Sequence, residues 1–283
     1  MDGARTDRDE YPFACTLEGG SAHTNAVLSG QAFGFIGGPE HDAFAKIKGA
    51  ELRSVVNIVD RGNVYLVARK GLAPAAGQGA ADFVRGKTIA VGFAGGTPNS
   101  ITRYLAKQWK LEIGKDVKLM ETTNAGTIAA VKAGQADIAV VTEPQITQGI
   151  TQGLTGEPFF STPKELGPYA YSTINIRYES MQKEPKTVEN FVHALEKGLK
   201  ATYANPAEAA EIAHKEFPTM SPADLKATID RSFADQVWSH DGSISKASWT
   251  TAKSVVMAAG LLKQDVPYEA IIDTRYVLGA SSQ

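Results

Sequence analysis

Three glycine-rich turns are the sequence features best suited to binding a small molecule. They are residues 19–21 (Gly-Gly-Ser), 37–39 (Gly-Gly-Pro) and 95–97 (Gly-Gly-Thr), and each follows a predicted strand and precedes a predicted helix. A helix N-terminus leaves backbone N–H groups without partners and carries the positive end of the helix dipole. A carboxylate, sulfonate, phosphate or nitrate group can therefore bind there without a cationic side chain.

Polar side chains add hydrogen-bond donors at two of these turns. Ser21 lies in the first turn, and Thr97, Asn99 and Ser100 begin the helix after the third. The alternative is that each glycine serves only the packing of a tight turn. Three such turns in one chain favour a ligand site, because the carboxyl ends of strands line the ligand crevice in open α/β sheets.

Two further strand ends carry candidate ligand contacts. Thr123 and Asn124 follow one predicted strand, and Glu143 follows another at residues 137–141. Glu143 either binds an ammonium or amidine group of a ligand or caps the next helix, and the sequence leaves both open. Tyr171 lies where the chain is expected to return between two lobes, so it either covers a ligand or packs in the core.

Catalytic signatures are absent from the sequence. It has no G-x-S-x-G elbow, no G-x-x-x-x-G-K-[ST] loop and no H-E-x-x-H pair. Cys15 is the only cysteine, so it can form neither an internal disulfide nor a multi-cysteine zinc site. We expect no cofactor, no metal and no enzymatic activity. The five histidines are scattered, and we expect solvated or capping roles for all of them: His23, His41, His193, His214 and His240.

Composition narrows the class of partner. The 283 residues are 43% hydrophobic and 21% charged, which is typical of a folded globular protein. Lys and Arg number 29 against 31 Asp and Glu, for a net charge of −2. Such a balance provides no broad cationic field for nucleic acid or an anionic membrane. The longest apolar runs are far shorter than the ~20 residues that cross a bilayer.

Short apolar runs alternate with helical periodicity through most of the chain, and this order predicts an α/β protein. In the helix after the third turn we expect Thr97 as the N-cap, Pro98 at the first helical position and Gly114 at the end. Beyond about Tyr178 the periodicity is helical only. There, Asn205 and Ser221 each precede a proline and are predicted to cap helices.

An internal similarity indicates two related halves. Residues 26–32 (AVLSGQA) match residues 130–136 (AVKAGQA), and both follow a small-residue turn and a helix and precede a buried strand. We interpret this as one βαβ unit used twice, once in each of two lobes.

Several of these segments resemble one known family. Residues 86–97 and 129–144 resemble the substrate-binding proteins of ABC transporters for nitrate, sulfonate, taurine and thiamine-precursor pyrimidines. Residues 17–21 and 37–40 are similar to that family's first-lobe motifs, and residues 64–71 to its crossover strand. The resemblance covers roughly residues 13–220.

The resemblance implies a type II periplasmic-binding-protein fold, in which two α/β lobes enclose a ligand cleft and the C-terminal third is helical. Lobe I would comprise residues 1–70 and 172–283, and lobe II residues 71–171. The residues expected to line the cleft are Gly20, Ser21, Gly37, Gly38, Pro39 and Glu40 from lobe I, and Gly95, Gly96, Thr97, Asn99, Ser100, Thr123, Asn124, Glu143 and Tyr171 from lobe II or its boundary.

The function implied is that of a solute receptor for an ABC importer. It would capture a small organic solute, anionic or pyrimidine-like, and deliver it to a membrane permease from the periplasmic or extracytoplasmic side as a monomer. An enzyme similar to thiamine-pyrimidine synthase is an alternative, but such enzymes rely on a histidine- and cysteine-rich site. An effector-sensing domain of a transcription regulator is another, although no helix-turn-helix precedes the first lobe.

The N-terminus departs from the family pattern. Family members begin with a signal peptide and then a strand and helix, whereas residues 1–10 here are charged and lack an apolar stretch. Residues 12–17 already lead into the first glycine turn. Either residues 1–10 replace the missing strand and helix, or this reading frame lacks its beginning, and we expect the second.

Overall fold

The computed structural model describes residues 20–278, and their side chains from residue 22 onward. The predicted strand at residues 13–17, Cys15 and the charged start of the chain lie outside this range. Within it, strands and helices alternate as far as Arg177, after which the elements are helical.

Eight strands lie in the described part of the chain. They are β1 (Gly34–Gly37), β2 (Leu52–Arg61), β3 (Tyr65–Ala68), β4 (Thr88–Gly92), β5 (Lys118–Thr122), β6 (Ile138–Val141), β7 (Phe160–Ser161) and β8 (Pro168–Arg177).

Twelve α-helices occupy the same range. They are α1 (Gly20–Leu28), α2 (Glu40–Lys46), α3 (Ala80–Val84), α4 (Thr97–Gln108), α5 (Gly126–Lys132), α6 (Gln145–Thr151), α7 (Thr162–Leu166), α8 (Tyr178–Lys183), α9 (Pro185–Ala204), α10 (Pro206–Glu216), α11 (Pro222–Ala234) and α12 (Lys246–Ala258).

Between residues 20 and 278 the strands form two sheets. The first has the order β1-β8-β2, with β8 antiparallel to both neighbours. The second has the order β5-β4-β6-β3-β7, in which β4 runs parallel to β5 and β6 while β3 runs antiparallel to β6 and β7. The predicted α/β class is confirmed.

The two longest strands, β2 and β8, carry the chain between the sheets. They pair with each other along the first sheet, from Leu52 opposite Arg177 to Arg61 opposite Pro168. A short segment after β2 leads into β3 of the second sheet, and the chain returns from β7 through α7 into β8. Both crossings therefore lie at the same end of the first sheet.

The repeated sequence folds into the same local structure in both places. In the first copy Gly30 has a φ of 82°, and Ala32 N–H donates to the carbonyl of Ala26 at 3.0 Å. In the second copy Gly134 has a φ of 70°, and Ala136 N–H donates to the carbonyl of Ala130 at 3.3 Å. The glycine is required because side chains with a Cβ rarely adopt this left-handed conformation.

Helix α4 differs at both ends from the sequence prediction. Its N-cap is Gly96, whose carbonyl accepts the Ser100 N–H, whereas Thr97 is the first helical residue and its hydroxyl donates to Glu40. The helix ends at Gln108 rather than at Gly114, because Lys110 adopts a φ of 54° and reverses the chain.

The predicted caps of the helical C-terminal third are confirmed. The Asn205 side chain accepts the Glu208 N–H, and the Ser221 hydroxyl accepts the Asp224 N–H at 3.0 Å. These bonds satisfy backbone donors that would otherwise have no partner in the first turn.

Helix α12 connects the C-terminal third to both sheets. It packs against α4 and against β8. Trp249, 1% exposed, lies in the same apolar cluster as Ile101 of α4 and Leu66 of β3. Trp249 is therefore the largest fully buried side chain of the core that surrounds the second sheet.

Replacement of Trp249 by Ala should lower the free energy of unfolding by about 3–5 kcal/mol, because it removes buried apolar surface and leaves a cavity. Urea unfolding followed by far-UV circular dichroism measures the effect. Ile212→Ala, at a position that is 53% exposed, is the control and should change stability by less than about 0.5 kcal/mol. Equal losses in the two variants would contradict this account of the core.

Candidate functional site

A cavity of about 520 Å³ lies where the carboxyl ends of strands from both sheets meet. Its volume is within the range of pockets that hold small molecules. Its wall is formed by His23, Gly37, Gly38, His41, Asn63, Gly96, Thr97, Pro98, Asn124, Ala125, Val140, Val141, Thr142, Gln145, Tyr171 and Ser172.

The topology explains why these residues converge. Strands β4, β5 and β6 run parallel, so the turns after them lie at the same edge of the second sheet. The first sheet contributes the end of β1 together with the start of α2. The two crossings add Asn63, just after β2, and Tyr171 with Ser172 of β8. The cavity is thus built by both sheets and both crossings.

The structure brings several of the predicted site residues together in this wall. They are Gly37, Gly38, Gly96, Thr97, Asn124 and Tyr171. Gly38 is constrained by space, since a Cβ on it would lie 2.0 Å from Oε2 of Glu40. Gly92 is constrained in the same way by Oδ1 of Asn124, at 2.2 Å.

Other predicted residues support the turns rather than face the cavity. Asn99 is fully buried, and its Nδ2 donates to the carbonyl of Gly92 at 2.8 Å. The Ser100 hydroxyl donates to the carbonyl of Gly96, and the Thr123 hydroxyl accepts the Gly126 N–H at the start of α5. These side chains do not line the cavity because they form hydrogen bonds with the backbone of their own turns.

The other predicted residues of the glycine turns lie in the turn before α4, behind the cavity wall or at the start of α1. Gly95 has a φ of 90° and allows the turn between β4 and α4. Pro39 and Glu40 are buried directly behind the wall at the start of α2. Gly20 begins α1, as expected, whereas the side chain of Ser21 lies outside the described residues.

Glu143 is engaged within the protein and is not part of the cavity wall. Its side chain is 4% exposed, and its carboxylate accepts hydrogen bonds from Arg231 Nε at 2.6 Å and from the Thr147 backbone at 3.1 Å. Of the two alternatives, the geometry supports the capping role at the start of α6. Its neighbour Thr142 lines the cavity instead.

Two histidines line the cavity, so the expectation of solvated or capping roles is wrong for them. His41 is 6% exposed, and its Nδ1 lies 2.9 Å from the carbonyl of Gly38. His23 stacks on Phe35 with ring centroids 4.7 Å apart, and its ring lies 5.3 Å from that of His41. No sequence spacing could have paired these two histidines, because they belong to different helices.

Burial and the neighbouring His41 lower the pKa of His23 to about 4. The imidazole of His23 is therefore neutral at physiological pH. Burial, with a further contribution from Glu40, raises the pKa of the Tyr171 hydroxyl, which keeps its proton and remains a hydrogen-bond donor. His23 and Tyr171 are therefore both uncharged near neutral pH.

A buried polar network fixes the turn after β1. The carbonyl of Gly37 accepts hydrogen bonds from Asn175 Nδ2 at 2.9 Å and from the Thr173 hydroxyl at 3.0 Å. The Ser54 hydroxyl lies 2.6 Å from Asn175 Oδ1 and 2.8 Å from Asp42 Oδ2. Burial raises the pKa of Asp42 well above its usual value. Strands β2 and β8 therefore hold the first-sheet side of the cavity rigidly.

Most of this chain matches the model of one protein family. The model described as "NMT1/THI5 like" matches residues 16–209. The chain belongs to this NMT1/THI5-like family. The resemblance noted in the sequence is thereby confirmed. YtlA of Bacillus subtilis, named as a candidate binding protein, is 22% identical over 262 residues, which are 91% of this chain and 77% of the relative.

Solved structures show the fold of this NMT1/THI5-like protein. The ligand-binding component of an ABC-type import system from Staphylococcus aureus, with zinc bound, has a TM-score of 0.75 at 16% identity over 95% of this chain and 88% of that one. The alkanesulfonate-binding protein SsuA from Xanthomonas axonopodis pv. citri, bound to MOPS, has a TM-score of 0.71 at 17% identity over 90% and 84%. The predicted periplasmic-binding-protein fold is confirmed.

Between residues 20 and 278, no helix combines the length and apolar character needed to cross a membrane. In the same range, no three His, Cys, Asp or Glu side chains are grouped so that they could hold a metal ion.

The His23 imidazole should titrate with a midpoint near pH 4 in the folded protein, followed by the NMR shift of its ring protons. Since the folded pKa is below the unfolded value of about 6.5, the neutral ring stabilises the fold above pH 6.5 and this contribution is lost as the pH falls toward 4. His41→Gln should raise the midpoint, because it removes a neighbour that lowers it. A midpoint near 6.5 in the folded wild type would contradict the buried position.

Arg231→Met should lower the free energy of unfolding by about 3 kcal/mol, because it leaves the buried Glu143 carboxylate without its cation. Lys226→Met on the same helix removes only an exposed pair with Asp230 and should cost less than about 1 kcal/mol. Urea unfolding compares the two. A smaller loss for Arg231→Met than for Lys226→Met would refute the structural role assigned to Glu143.

Proposed function

We propose that this protein is the solute-binding receptor of an ABC importer. The observation that carries the proposal is the cavity, whose wall combines residues of both sheets with residues of both crossings. Membership in the NMT1/THI5-like family and the fold shared with binding components of import systems support the same function.

The proposed mechanism is closure of two lobes, residues 1–70 with 172–283 and residues 71–171, around the solute. His41 and Gly38 would contact it from the first lobe, and Thr97, Asn124 and Thr142 from the second. A solute that touches both walls binds the closed form more tightly than the open one and so shifts the population toward closure. The β2 and β8 crossings are the segments about which such a movement would occur.

The partners follow from this role. The closed, loaded receptor would dock on a membrane permease and release its solute there. We propose that the protein acts on the extracytoplasmic side of the membrane, as a monomer and without nucleic acid. A non-enzymatic role agrees with the chemistry of the cavity. The described lining residues include no cysteine or carboxylate to accompany the two histidines, and Glu143, outside the wall, is already paired with Arg231.

Native mass spectrometry of the freshly purified full chain should find a small solute bound in a one-to-one ratio. Addition of that solute, or of compounds from a panel of sulfonates, nitrate and aminopyrimidines, should raise the melting temperature, because ligand binds only the folded state. Small-angle scattering should show a decrease in radius of gyration with saturation. No bound or binding compound in a folded protein would overturn the proposal, and conversion of the bound compound would indicate an enzyme.

Within this test, Tyr171→Ala should weaken solute affinity by about tenfold or more, because it removes a large side chain from the cavity wall. Thr202→Ala is the matched control, since Thr202 lines a separate apolar groove between α9, α10 and α11. Isothermal titration gives both affinities. Unchanged binding by Tyr171→Ala would exclude this cavity as the site.

A further inference from the structure

A buried carboxylate lies immediately behind the cavity wall. Glu40 is 1% exposed, and its Oε1 accepts a hydrogen bond of 2.6 Å from the hydroxyl of Thr97. Its Oε2 has no hydrogen-bond partner among the described residues and occupies the space that a side chain on Gly38 would fill. Gly38 and Thr97 both line the cavity, so the unsatisfied oxygen lies between two residues of its wall.

This carboxylate changes the chemistry of the glycine turn before α4. A free helix N-terminus attracts anions, but the hydroxyl of Thr97, the first residue of α4, donates to Glu40 and so places that carboxylate beside the N-terminus of the helix. The negative charge of Glu40 therefore compensates the positive end of the helix dipole. An anionic solute placed at this turn would meet that charge at close range in a poorly solvated cavity.

No cationic side chain of the described cavity wall balances the charge of Glu40. None of the described lining residues is a lysine or an arginine. Arg103 of α4 and Arg231 of α11 are already paired, with Glu121 at 2.9 Å and with Glu143 at 2.6 Å respectively. A bound anion would therefore have only neutral donors to balance its charge.

A second acceptor lies close to the first. The Nδ1 of His41 faces the carbonyl of Gly38, which can only accept, so the ring proton is on Nδ1. In the neutral ring the remaining nitrogen, Nε2, is an acceptor, and it has no partner among the described residues. Two unsatisfied acceptors, Glu40 Oε2 and His41 Nε2, thus lie at the first-sheet side of the cavity, where unpaired polar groups are costly.

We propose that the cavity selects solutes that carry an N–H-donating cationic group, such as a protonated amine or an amidinium, and that Glu40 is the residue that sets this preference. The inference rests on the proposed receptor function and names the chemical class of its solute. An amidinium or ammonium group supplies the donors that Glu40 and His41 lack and the charge that balances Glu40. The same carboxylate excludes anions by repulsion.

The test compares two probes of nearly the same shape and opposite charge, benzamidinium and benzoate, with ethanesulfonate and nitrate as further anions. Titration of the wild-type full chain should give an affinity for benzamidinium about tenfold or more above that for benzoate. Glu40→Gln keeps an oxygen that can accept from Thr97 but removes the charge, and it should bring the two affinities to within about threefold. Far-UV circular dichroism and urea unfolding confirm that the variant is folded.

A matched variant separates the charge at the cavity from charge elsewhere. Glu112→Gln removes an exposed carboxylate and should leave the ratio of affinities unchanged. If Glu40→Gln does not fold, the wild-type ratio still decides whether the cavity prefers the cation.

The outcomes distinguish this inference from the receptor function. Benzoate, ethanesulfonate or nitrate bound as tightly as benzamidinium, or an anionic solute found in the purified protein, would overturn the selectivity while leaving the receptor role intact. An unchanged ratio in folded Glu40→Gln would remove Glu40 as its determinant. Failure of all the probes to bind a protein that retains and releases another solute would also overturn the selectivity, whereas absence of any solute would overturn the receptor function itself.

Discussion

The antiparallel pairing of β2 with β8 is the constraint on which the rest of the structure depends. These two long strands are hydrogen bonded from Leu52 opposite Arg177 to Arg61 opposite Pro168, and at that end both continue into the second sheet. The cavity is located there because the chain must cross at that end. Asn63 and Tyr171 reach the wall as direct consequences of the crossings.

The same pair of strands also makes the first-sheet side of the cavity rigid. Ser54 of β2 and Thr173 with Asn175 of β8 form a buried polar network that ends on the carbonyl of Gly37. Such a network is stabilising only when its donors and acceptors match, so it fixes the turn in one conformation. That turn positions Gly38 and the start of α2, so that Glu40 lies against Thr97 and His41 lines the cavity.

The first-sheet and second-sheet sides of the cavity meet through both polar and apolar contacts. Glu40 of α2 accepts from Thr97 of α4, and Tyr65 of β3 donates to Asp235 beyond α11 at 2.7 Å. The apolar contribution comes from α12, which packs on both α4 and β8 around Trp249. This arrangement leaves the solute site polar on its first-sheet side and apolar along Val140 and Val141 of β6.

The sequence alone determined the features that depend on contacts between residues close together in the chain. The repeated segments fold alike because Gly30 and Gly134 occupy left-handed positions that favour glycine, and Asn205 and Ser221 cap helices because their side chains reach the first-turn N–H groups. The α/β class and the glycine turns were predictable for the same reason. What only the tertiary structure decided were contacts between distant residues: Glu40 with Thr97, 57 positions apart, Glu143 with Arg231, and His23 beside His41. Charge balance in a cavity depends on distances through space, and sequence spacing carries no information about those distances.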